Sequence, residues 1–281
     1  MKKRFDILDG VVLSIAISTI LAIFFPGRSL SESVRTLLSV SSFLFGIFVA
    51  FSISDRHGRL KEIRIQLREG DAFIFELYKH SAVFGKKAQD MCRSLLDDWV
   101  IATIDYKLED FHKARGKFNA LYDFVFALKP ANNKQNVAYS KMIDTLKEMN
   151  KENKKMRYLV TDRISFSEWG SILTLSGIIL FCLFYINSGT LSSMTLTVLL
   201  AVTLTLLVLV LRDLDQLYWK EQKWIWDPLI DLFHELDLLP YFPDDVFVRK
   251  RVKLQSGLKY RVGKYAHPYP DMTNKKIEVV G

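Results

Sequence analysis

Long apolar runs without a single charge alternate along this chain with stretches in which charge and apolar residues are densely mixed. Gly10 to Phe25, Thr36 to Ser54 and Trp169 to Leu211 contain no Asp, Glu, Lys or Arg. A helix needs about 20 apolar residues to cross the hydrocarbon core of a bilayer. Ile7 to Phe25 reaches that length, with Asp9 near its start, and Pro26-Gly27 ends it. Thr36 to Ser54 supplies a second span. The third run is long enough for two, and Asn187-Ser188-Gly189-Thr190 places turn-forming residues in its middle. That gives spans near Trp169 to Ile186 and Met194 to Leu211. The pattern predicts an all-α integral membrane protein with four transmembrane helices.

Residues 55–168 separate the two apolar hairpins and show no strand alternation. Leu60, Ile63, Leu67, Gly70, Ile74, Leu77, Ser81 and Phe84 recur at alternating steps of three and four. This heptad stripe continues the second span without a proline, so that span is expected to leave the bilayer as one long helix. Leu95, Trp99, Ala102 and Tyr106, then Phe118, Leu121, Val125 and Leu128, form a second amphipathic set that ends at Pro130. Met142, Leu146, Met149, Asn153, Met156 and Val160 form a third. Helix packing explains these stripes, and a helical domain over 55–168 is expected. The organisation is then a hairpin over 1–54 (spans 7–25 and 36–54), a helical domain over 55–168, a second hairpin over 169–211 and a tail over 212–281. In the tail, Tyr218 to Phe233 carries Trp219, Trp224 and Trp226 and reads either as an interfacial helix or as one buried against the helical domain. Val246 to Val252 and Leu258 to Val262 flank Gln255-Ser256-Gly257 and suggest a small hairpin.

Charge sets the orientation. The chain of 281 residues has 39 Lys plus Arg against 31 Asp plus Glu, a net charge of +8. Arg56, Arg59, Lys61, Arg64 and Arg68 follow span two, Arg163 precedes span three, and Arg212, Lys220 and Lys223 follow span four. The positive-inside rule then places both termini and the 55–168 segment in the cytoplasm of a multi-pass cell-membrane protein. Contact of these basic residues with anionic headgroups accounts for the positive balance, and nucleic acid is not an expected partner. Cys92 and Cys182, the two cysteines, fall in a charged and an apolar region respectively, so neither a bridge nor a metal pair is expected. His57, His80, His112, His234 and His267 are isolated, and no phosphate-binding glycine loop or nucleophile elbow is present. No catalytic residue, metal or cofactor is assigned, and an enzyme is not expected. The spans hold no ionisable residue at mid-depth, which weighs against a proton-coupled pump.

Span two has two distinct faces. Ser42, Gly46, Ala50 and Ser54 recur every four residues, a small-residue face suited to close helix packing. Ser41, Phe45, Phe48, Ser52 and Asp55 lie on another face. If several subunits surround an axis, that face can line a pore, with Phe45 and Phe48 as a hydrophobic constriction. The alternative is that the phenylalanines face lipid.

The run Leu44-Phe45-Gly46-Ile47-Phe48-Val49-Ala50-Phe51-Ser52 leads into Asp55-Arg56, then Glu62, Glu69 and Glu76. Further on come Leu95-Leu96-Asp97-Asp98-Trp99 and Leu211-Arg212-Asp213-Leu214-Asp215. With the plan of two spans, a helical segment, two spans and a tail, the chain resembles the bestrophin-like membrane protein family over roughly residues 10–220, and more distantly the bestrophin anion channels. The resemblance implies a homo-oligomer, a pentamer by analogy, whose second spans line a pore for chloride or another anion. The acidic calcium-clasp run of animal bestrophins has no counterpart here, because Asp213, Asp215 and Glu221 are interleaved with Arg212, Lys220 and Lys223. The expected function is a homo-oligomeric ion channel set in membrane lipid. The other reading is a membrane-anchored helical scaffold or sensor that binds a cytoplasmic partner.

Overall fold

A computed structural model describes residues 7–24, 27, 31–217, 226–248, 257 and 259–281. Nine α-helices and three short strands are described: α1 (Ile7–Phe24), α2 (Glu32–Ser81), α3 (Lys86–Asp105), α4 (Arg115–Ala127), α5 (Asn133–Thr161), α6 (Phe166–Tyr185), α7 (Leu191–Gln216), α8 (Trp226–Glu235) and the single turn α9 (Asp244–Val248), with β1 (Tyr241–Pro243), β2 (Tyr260–Lys264) and β3 (Lys276–Val280). Four helices are long and apolar enough to cross a membrane. The chain divides into two compact units, one within Met1–Leu60 and Arg163–Leu217, the other within Lys61–Asp162 and Tyr218–Gly281.

α2 belongs to both units. Its 50 residues contain no proline, and at 1.5 Å per residue such a helix is about 75 Å long, more than twice a bilayer's hydrocarbon core. It ends where Ser81 and the short turn Ala82–Phe84 lead into Gly85, whose φ of 97° is a conformation that side chains disfavour. The sequence supplies the starts of the later helices. Asn132 accepts a hydrogen bond from the Gln135 amide at the head of α5 (2.9 Å), Ser165 accepts from the Glu168 amide at α6 (3.2 Å), and Thr190 accepts from the Ser193 amide at α7 (3.4 Å).

In the first unit α1 packs along α7. Gly10, Ser14, Ser18 and Ala22, four residues apart, lie on the packed side of α1, and Thr197, Ala201 and Thr205 on that of α7. The Ser14 hydroxyl donates to Thr205 Oγ1 at 3.1 Å. With no hydrophobic drive between helices in lipid, such small side chains let the backbones approach. The end of this pair is latched to the turn after α6. Asn187 is fully buried, its amide donates to the Ala22 carbonyl (2.9 Å), and its own carbonyl accepts from the Gly27 amide (2.7 Å). A Cβ on Gly27 would stand 2.0 Å from the Tyr185 carbonyl oxygen. Glycine is therefore required there by a close backbone approach.

In the second unit the core is Ile74, Leu77, Leu96, Leu121, Met142 and Leu146, joined by Trp226, Phe233 and Phe242 from the tail. The stripes of α2, α4 and α5 are the buried sides of those helices. On α3 the buried set is Cys92, Leu96, Val100 and Ile104, one position beyond Leu95 and Trp99, which are half-buried. Of the aromatic tail segment, Tyr218 to Ile225 lies outside the described residues, while Trp226, Leu232 and Phe233 are interior. That part of the segment is packed against the helical domain instead of at a lipid surface. Of the expected hairpin, Val246 to Val248 lie in α9, while residues 249–256 and 258 lie outside the described residues. β2 pairs in parallel with β1 and antiparallel with β3.

Carboxylates of α3 fasten this sheet. Buried Asp105 accepts from the hydroxyls of Tyr241 (2.6 Å) and Tyr265 (2.6 Å) and pairs with Lys275 (2.5 Å), while Asp97 holds the Arg261 guanidinium through two bonds of 2.6 and 2.8 Å. Burial and the Asp105 charge push both tyrosine hydroxyls well above their usual range, so they stay protonated donors. Replacing one partner of a buried charged pair costs about 3–5 kcal/mol. Asp105→Ala is accordingly expected to lower the melting temperature of the purified protein and to open the 260–280 segment to limited proteolysis, whereas Lys264→Ala, at an exposed pair, leaves both unchanged.

Candidate functional site

The outward side of α2 and the charged cluster at the end of its apolar half form the candidate site. Over the apolar half, α2 buries Ser41, Phe45, Val49, Ser52, Arg56 and Arg59, each no more than 6% exposed. Phe45 and Val49 share an apolar cluster with Ile172, Ile179 and Leu183 of α6 and with Leu204 and Leu211 of α7. The Ser52 hydroxyl donates to Glu168 at 2.7 Å. Opposite this stripe stand Phe43, Ile47 and Phe51, with Phe43 68% and Phe51 73% exposed. At about 100° per residue these three fall within roughly 80° of one another.

The expected pore-lining residues are therefore divided. Ser41, Phe45 and Ser52 are buried within the chain, Phe45 in the apolar cluster with α6 and α7 and Ser52 against Glu168. Phe48 and Asp55 are exposed at the margin of the open face. The expected packing residues Ser42, Gly46, Ala50 and Ser54 are all exposed, and a Cβ on Gly46 would meet nothing within 4 Å. Within the chain, close packing through small residues is the property of α1 and α7, and the small side of α2 is exposed.

At the end of this stripe a buried ionic network joins three elements. Asp215 of α7 accepts from the Ile164 amide just before α6 (2.9 Å) and faces Arg56 (3.6 Å) and Arg59 (4.0 Å) of α2; Arg59 also donates to the Asp215 carbonyl (3.1 Å). The other edge of the Arg56 guanidinium grips Asp55 through Nε (3.1 Å) and Nη2 (2.5 Å). Arg56, Arg59 and Asp215 are not among the expected site residues. The signal for them is periodicity: stepping back from Ile63 by four and three leads through Arg59, Arg56, Ser52, Val49 and Phe45, all on the buried side. Among the described residues, no group of three or more His, Cys, Asp and Glu side chains is arranged to hold a metal ion.

A family model for the bestrophin-like domain matches residues 11–218. The chain belongs to the bestrophin-like family. No curated protein and no solved structure matches the chain. The bestrophin-like match spans both apolar hairpins and the helices between them and stops just past Asp215, so α2 and its ionic network fall inside the family domain and the fastened tail sheet outside it. Membership in the bestrophin-like family points to an ion channel in general terms.

Removing a single partner from a buried ion network leaves charge stranded, at a cost of about 3–5 kcal/mol. Asp215→Ala is expected to abolish recovery of folded protein from detergent, and Asp55→Ala, whose carboxylate is exposed, to leave recovery unchanged, as read by size-exclusion chromatography.

Proposed function

We propose that this bestrophin-like chain assembles with copies of itself into a passive ion channel whose conducting path runs along the open side of α2. The observation that carries the reading is the division of α2 into a buried stripe and an apolar open face. The interior of the first unit is filled by Phe45, Ile172, Ile179, Leu204 and Leu211, so a path for ions has to run between copies. Only 22–28% of each apolar window is buried within the chain, and the remainder must meet lipid or another subunit. In a ring with the buried stripe turned outwards, Phe43, Ile47 and Phe51 face the axis, Phe48 and Asp55 lie at the margin, and Ser42, Gly46 and Ala50 allow neighbouring helices to approach. Rings of aromatic and aliphatic side chains close a pore by excluding water. Passive conduction requires no catalytic group or cofactor. Five copies, chloride or another anion as the permeant ion, and cytoplasmic termini in a multi-pass membrane protein complete the proposal, supported by the family and by the basic residues that flank the spans.

Purified protein in planar bilayers is expected to conduct, with a reversal potential in a potassium chloride gradient that follows chloride. Phe51→Ala is expected to raise conductance or open probability. Phe45→Ala is expected to lower the melting temperature and leave unit conductance unchanged. Absence of current from an oligomer verified by native mass spectrometry would refute the channel, and a monomer would favour a membrane-anchored scaffold.

A further inference from the structure

The second unit contains a groove with room for about 220 Å³, lined by α2, α3, α5 and α8. Its walls are mostly apolar: Leu67, Ile74, Trp99, Met149, Met156 and Leu232. Two buried acceptors on it lack a protein donor. Glu152 Oε2 is one, and Gln66 Oε1 is the other. Gln66 is only 3% exposed, and its amide nitrogen is committed to Glu62 (3.4 Å) and Glu69 (3.2 Å), which fixes the carbonyl oxygen on the opposite side. A buried acceptor without a donor costs about 1–3 kcal/mol, more when it is charged. Such a cost is offset when a ligand brings the missing donors.

The charges select the ligand. Asp71 and Glu152 supply two carboxylates, and Glu235 acts on Asp71 from α8. Against them stand Arg64 and Arg68; Arg64 has interactions of its own, and Arg68 is the cation that acts on Asp71. Both orphaned atoms are acceptors, so a group made only of donors fits, and an anion does not. Trp99 is also among the lining side chains, and an aromatic ring favours a cation further. We propose that this groove is a binding site for an organic ammonium ion, an amine on a compact apolar body, with Glu152 and Gln66 accepting its N–H groups. An apolar cavity of about 150 Å³ accommodates benzene, so this one suits a body of about nine non-hydrogen atoms. Burial and the Glu235 charge raise the Asp71 carboxyl to about 7, with Arg68 opposing.

Calorimetric titration of the full-length protein in detergent tests this, with phenethylamine as probe, 3-phenylpropionate as the oppositely charged control and protein-free micelles as blank. The expected result is one amine per chain, with the acid at least about tenfold weaker. Glu152→Gln, nearly the same shape, is expected to weaken the amine about tenfold, and Met149→Trp, which fills the groove, to abolish binding, with melting temperatures near wild type identifying folded variants. Equal binding of amine and acid, no amine binding in the millimolar range, or amine binding unaffected by Glu152→Gln would overturn the proposal. Because no current is measured, its failure is distinct from failure of the channel reading.

Discussion

One unbroken helix has to satisfy two solvents, and the other elements are arranged around that constraint. α2 passes without a proline from an apolar half to a charged half. In the apolar half water cannot compete for hydrogen bonds, so specificity comes from close packing of Phe45 and Val49 against α6 and α7. In the charged half ordinary hydrophobic burial takes over at Ile74 and Leu77. The change of regime is marked by Arg56 and Arg59, whose guanidinium groups are buried against Asp215. A charged pair at that point holds the C-terminal end of α7 and the start of α6 against α2 through directional bonds, where neither lipid nor a large apolar core can.

Acidic side chains recur as fasteners. Asp215 in the first unit and Asp105 and Asp97 in the second each gather donors from segments far apart in sequence. Each is buried or half-buried among apolar residues, where an ionised acceptor strengthens every bond it receives. The groove carboxylate Glu152 differs in having a buried oxygen without a donor, and that contrast separates structural acids from one with capacity left over.

Much of the fold was legible from spacing. The apolar runs predict α1, α6 and α7, and the heptad stripe predicts that the second span continues as one helix, because both signals depend on local periodicity alone. The role of span two's faces was not legible in the same way. A small-residue repeat occurs in α1 at Gly10, Ser14, Ser18 and Ala22 and in α2 at Ser42, Gly46, Ala50 and Ser54, and nothing local distinguishes the repeat that packs within the chain from the one left exposed. The buried side of α2 could have been found by extending its stripe upstream through two arginines, which the expectation of an apolar core discourages. The tail sheet was hidden for another reason: its strands are short, and one pairing is parallel, so register depends on Asp105 and Asp97 of a distant helix.

The pairing of α1 with α7 has a consequence for how the protein is made. The Ser14 to Thr205 hydrogen bond joins residues 191 positions apart, and synthesis at about 5–20 residues per second separates their emergence by on the order of 10 to 40 s. Through that interval the glycine and serine edge of α1 lacks the helix that covers it in the folded chain. Closure of the α1–α7 pair therefore waits on synthesis of everything between its two halves, and the Arg59–Asp215 contact of α2 comes later still.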